Sequence, residues 1–143
     1  MRKTGCLSAL ALALVLSGCS TAMPTSFSRT VETGWTSIEV RDGVDFDRAW
    51  ETVFGLLARD FDIATAMKDV GYVQTGWLHT WSGVYQSDYK VRATVKFAAD
   101  KKSLQVRSEA WLFDGETWIT GTDSRLTSTL KTDLMGTVGR TTR

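Results

Sequence analysis

Few residues in this 143-residue chain have the types and spacing for chemistry. His79 is the only histidine, and Cys6 and Cys19 are the only cysteines. A metal site takes several His, Cys or carboxylate ligands at fitting spacing, and His79 has no second histidine to join. A Ser-His-Asp triad is open in principle to any histidine. Trp81-Ser82-Gly83, however, lacks the first glycine of a Gly-x-Ser-x-Gly elbow. His79 therefore reads as a strand histidine with a structural or surface role. Carboxylates pair at Asp45/Asp47, Asp60/Asp62 and Asp114/Glu116. Each pair falls at an expected helix end or turn, where caps and hydration account for it. Spacing alone leaves open a dyad assembled in space. Phosphate-binding glycine loops, EF-hand loops and zincin motifs are absent. The expectation is a protein without catalytic residues, cofactor or metal.

The aromatic residues say more. Trp77, Trp81, Tyr85 and Tyr89 recur every four residues. Within one strand that spacing puts Trp77, His79 and Trp81 on the same face. Two readings stay open for this face. It packs beneath helices as core, or it forms an exposed patch that grips a protein, a glycan strand or a lipid. Trp, Tyr and Arg dominate interface hot spots, and Arg92 and Arg107 lie on neighbouring polar faces. Trp111 breaks the inward alternation of its strand and should point outward, with Trp118 nearby in a loop. Trp77, Trp81, Tyr85, Trp111 and Trp118 are thus the candidate partner- or ligand-binding residues. Trp50 is expected in the core.

The elements that must position these residues follow from periodicity. Trp35 to Val40 reads as a first strand, and Arg41-Asp42-Gly43 as a turn. Asp45 stands where a helix cap belongs. Phe46, Ala49, Trp50, Val53 and Leu57 then repeat at three and four, giving a helix to about Asp60. Phe61–Lys68 and Tyr72–Trp81 read as the second and third strands. From about Tyr85 to Ala98 a fourth alternates Val91, Ala93, Val95 and Phe97 against Arg92, Thr94 and Lys96. That is the pattern of a sheet buried on one side. A fifth runs from Leu104 to Ala110, and Asp114-Gly115 marks a turn. Thr120–Asp123 offers caps for a second helix, whose stripe is Leu126, Leu130, Leu134 and Val138. The order β-α-β-β-β-β-α predicts an α+β domain, an antiparallel β-sheet curled against two helices in a helix-grip-like arrangement.

Charge excludes some functions. There are 17 Lys and Arg against 16 Asp and Glu, a formal net charge of +1. No basic face of the kind that reads nucleic acid is present. At the N-terminus, Arg2 and Lys3 precede the apolar run Leu7–Leu16, which is too short to span a membrane and fits a signal peptide. Leu16-Ser17-Gly18-Cys19 resembles the lipobox of bacterial lipoproteins. In that family the cysteine thiol takes a diacylglycerol, a peptidase cuts just before it, and the new amine is acylated. The resemblance implies a signal peptide over 1–18 and lipidation at Cys19. Cleavage would remove Cys6 and leave no second thiol for a disulfide. Ser20 after the cysteine implies sorting to the outer membrane. Residues 19–34, rich in Ser and Thr and holding the single proline, Pro24, are expected to be a flexible tether. The folded domain is expected over 35–143.

Phe46-Asp47-Arg48-Ala49-Trp50, followed by Lys68-Asp69-Val70-Gly71-Tyr72-Val73, is similar to the opening helix and the second and third strands of BamC-type helix-grip domains. Those domains belong to the lipoprotein subunit of the outer-membrane β-barrel assembly machinery. The likeness of the domain covers roughly residues 36–138, and the lipobox and short tether before it add to the resemblance. It implies a lipid-anchored, periplasm-facing envelope protein that acts as an interaction or assembly module on another envelope protein. The alternative expectation is a module that binds a lipid or other apolar ligand between sheet and helix.

Overall fold

The computed structural model describes residues 23–140. The segment expected to be a signal peptide, 1–18, and the expected lipidation site, Cys19, lie outside these residues. Two helices pack on one face of a seven-stranded antiparallel sheet. Its strands are β1 (Phe27–Arg29), β2 (Thr36–Glu39), β3 (Ile63–Met67), β4 (Tyr72–Thr75), β5 (Tyr89–Phe97), β6 (Ser103–Phe113) and β7 (Trp118–Asp123). The sheet order is β1-β7-β6-β5-β4-β3. Strand β2 pairs with the first part of β6, from Ser103 to Val106, while β7 pairs with its last part, from Ala110 to Phe113.

Helix α1 (Phe46–Asp60) forms where its apolar spacing places it. The Asp45 side chain accepts the Arg48 N–H at 2.8 Å, as a cap should. Ala49, Trp50, Val53 and Leu57 form its buried stripe. Helix α2 (Ser124–Thr137) is capped by Asp123 and buries Leu126, Leu130 and Leu134. These side chains join Val73, Val91, Ala93, Val95, Leu104 and Val106 in one apolar cluster. The space between α2 and the sheet is filled by the chain's own leucines.

Several expectations need correction. The expected third strand, Tyr72–Trp81, stops at Thr75. Gly76 N–H donates to the Asp62 carbonyl, and only Leu78 returns to the sheet, as a bridge to Val91. The chain then turns at Gly83, whose φ of +91° glycine adopts without strain. The next strand starts at Tyr89 rather than near Tyr85. Thr120–Asp123, read as a capping segment, is the end of a strand; Asp123 does cap the helix.

The stretch read as a tether contains β1. Phe27, Ser28 and Arg29 pair with Asp123, Thr122 and Gly121. Phe27 is buried, edge-on to Tyr89, and its ring covers Gly121, where a Cβ would overlap both that ring and the Ser28 carbonyl. The signal at Phe27 is weak in sequence because three residues cannot show a period.

A polar junction ties this strand to α2. Asp123 is wholly buried. Its carboxylate accepts the Leu126 N–H, the Ser26 hydroxyl, the Trp81 indole N–H and the Tyr89 hydroxyl. A buried carboxylate needs such a full set of donors. Burial, and then the bond to Asp123, push the Tyr89 hydroxyl pKa well up.

Candidate binding surface

Strict alternation in β5 and β6 sorts the remaining side chains onto the face away from the helices. Lys90 faces Trp111 across the pair, Arg92 faces Glu109, Thr94 faces Arg107 and Lys96 faces Gln105. Trp118 opens β7 opposite Phe113. Trp77 comes from the loop one residue before the Leu78 bridge and lies 4.9 Å from the Trp111 ring. Trp35 lies one residue before Thr36, the partner of Val106, and its ring is 4.5 Å from the Arg107 guanidinium carbon. Four of the six tryptophans therefore share one helix-free face.

Cations are threaded through these rings. Lys90 Nζ lies 5.0, 4.8 and 4.3 Å from the ring centroids of Trp77, Trp111 and Trp118. Arg92 lies 4.5 Å from Trp77. An ammonium over an indole face is attracted by the ring quadrupole, by roughly 0.5–1 kcal/mol where water reaches it. Arg92 also grips Glu109 through two bonds of 2.8 and 3.1 Å, with Arg107 3.8 Å from the same carboxylate. Lys90, Arg92, Lys96 and Arg107 thus stand against Glu109 alone on these two strands.

Beside this array a groove of ≈ 460 Å³ opens between the β1–β2 connection and β6. Trp35, Arg107, Glu109 and Trp111 line it, with Thr30–Thr33 as the opposing wall. Arg107 Nε is buried here with no hydrogen-bond partner among the described residues. The arrangement can hold an extended chain with planar or acidic groups. It offers positive charge and ring surface.

The structure divides the candidates. Trp77, Trp111 and Trp118 come together. Trp111 points outward as expected; Trp118 belongs to a strand, not a loop. Trp81 is separated from Trp77 and does not share its face. It stacks on Phe61, 6.2 Å between centroids, and its indole N–H donates to Asp123. The expected common face fails because strand alternation ends at Thr75. Tyr85 projects from the loop, stacked on His79 at 5.5 Å. His79 Nδ1 is 2.8 Å from the Gln86 carbonyl, so the ring closes the loop. Among the described residues, no group of three or more His, Cys, Asp or Glu could hold a metal. Sequence reasoning missed Lys90 and Trp35 as members of the array. Lys90 was legible as the residue two before Arg92 on the polar side; Trp35 depends on the β2–β6 register, which has no local signal. In comparisons with known proteins, no family model and no curated protein matches this chain.

Proposed function

We propose that this chain is a lipid-anchored, non-enzymatic protein of the bacterial cell envelope. It is held through Cys19 at the periplasmic face of the outer membrane, and it docks another envelope protein on the helix-free face of its sheet. The observation that carries the docking reading is the gathering of Trp35, Trp77, Trp111 and Trp118 among four cations and one carboxylate. The half-buried rings leave indole surface that no helix covers, and interfaces are enriched in Trp and Arg. The charge imbalance favours a partner segment with acidic side chains. The likeness to BamC-type domains supports an assembly or scaffold role, and the lipobox supports the location.

A photo-crosslinking residue at position 111, in intact cells, tests this reading. We expect one discrete protein adduct, absent when the same residue replaces Val70. No stoichiometric adduct from position 111, in protein that is folded and membrane-bound, rejects the docking face. The anchor has its own test: Cys19→Ser should release or misprocess the protein, and unchanged membrane retention refutes lipidation.

A further inference from the structure

We infer that the loop Trp81–Gln86 is a membrane-facing tip that rests its Val84 and Tyr85 side chains on the lipid surface holding the anchor. The inference rests on the lipid-anchor reading and adds an orientation to it. Val84 and Tyr85 are 70% and 66% exposed, an adjacent apolar pair at the apex of an ordered loop. The loop is braced by the Gly83 N–H to Thr80 carbonyl bond, the Gln86 N–H to His79 carbonyl bond and the His79–Tyr85 stack. It therefore presents the pair rather than hiding it.

The occupant follows from where the chain leaves the described domain. Ser26 is pinned by its hydroxyl to Asp123 at 2.8 Å, and its carbonyl accepts the Ser124 N–H. Trp81, the first residue of the loop, donates to the other oxygen of Asp123 at 3.3 Å. One carboxylate thus fixes the loop and the incoming chain at the same end of the domain. Ser26 is only the seventh residue after Cys19. Fully stretched, that span reaches roughly 25 Å, at about 3.3–3.6 Å per residue. The turn carrying Val70 lies at the opposite end, because Gly71 meets Phe97, the last residue of β5, while the loop leads into Tyr89, its first. Nine strand residues set these ends apart by about 30 Å. The short span keeps the loop end nearest the bilayer. Tyrosine suits the interface, with an apolar ring and a polar hydroxyl; Arg125, 5.7 Å from the Trp81 ring, flanks the loop to meet an anionic headgroup, while the neighbouring Arg59 is paired with Asp60 and Asp133.

The test uses the full acylated protein in phosphatidylethanolamine–phosphatidylglycerol vesicles whose acyl chains carry bromine. An environment-sensitive fluorophore is attached through Val84→Cys or, separately, Val70→Cys; mass spectrometry of the N-terminal peptide reports the acyl group. We expect bromolipid to quench position 84 and to leave position 70 at full emission. Acylated protein in which position 84 keeps full emission, or in which both positions lose emission equally, overturns the orientation and leaves the anchor standing. An unacylated Cys19 overturns both. Emission at 84 that shifts only when a partner protein is added, with bromolipid silent, assigns the tip to protein contact and overturns the lipid assignment.

Discussion

The two faces of β5 and β6 are built from the same backbone and exclude water differently. Val91, Ala93, Val95 and Phe97 on β5, with Leu104, Val106 and Ala110 on β6, lie under the two helices and are almost wholly buried. On the other face no helix arrives. The rings of Trp77, Trp111 and Trp118 are covered instead by one another and by Lys90 and Arg92. The helix-covered face is dense, apolar and costly to disturb. The other is a half-wet layer whose cations can exchange a ring for an incoming carboxylate. If the helix-free face docks a partner as proposed, stability and recognition lie on opposite sides of the same two strands, so altering one need not destroy the other.

The largest effect should come from the covered side. Asp123→Ala removes the α2 cap and strands the donors of Ser26, Trp81 and Tyr89; we expect a loss of about 3–5 kcal/mol in urea unfolding. Leu134→Ala should cost about 3 kcal/mol by the same measurement, because a fully buried leucine leaves a cavity. Trp111→Ala should cost only about 1–2 kcal/mol, the scale of aromatic pairing with partial burial, yet abolish the partner adduct read from a crosslinker at position 35. A Trp111→Ala loss equal to that of Leu134→Ala would break the division between the faces. Lys90→Met should change stability by less than about 1 kcal/mol and weaken partner binding at low salt more than at high salt.

The smallest effect is one of pH. Tyr89 has its hydroxyl pKa raised in the folded state by burial and by Asp123. The contribution is present in full below the unfolded tyrosine value of about 10 and falls as pH rises beyond it, since only the unfolded chain then readily loses the proton. Denaturation followed from neutral to alkaline pH should show this decline in the native chain, and Tyr89→Phe should flatten it.

Helix positions were legible because each carries a cap and a stripe within fifteen residues or fewer. Asp45 with Trp50, Val53 and Leu57, and Asp123 with Leu126, Leu130 and Leu134, are such local signals. The long strands β5 and β6 were legible through alternation over nine and eleven residues. The short strands were legible only in part. β2 and β3 lie within the segments read as strands, Trp35–Val40 and Phe61–Lys68, but β1 has three residues and β4 four, too few for a period to reveal the one or end the other, and both pair with a distant strand. The candidate surface was half legible for the same reason. Trp111 revealed its direction by breaking a long alternation. Trp77 and Trp81 share a regular spacing, but it spans the end of a strand and a loop, and they finish on different sides.

Strand β1 has a mechanical consequence. If the chain is held by a lipid at its N-terminal side, any pull on the domain enters at Ser26. The load meets three rungs of β1 beside β7 and the Asp123 junction before it reaches the helices. Short ladders yield before long ones, so β1 should peel first and leave β5, β6 and the tryptophan layer intact. The strand then works as a fuse: under tension the protein lengthens by a few residues of slack instead of losing its fold.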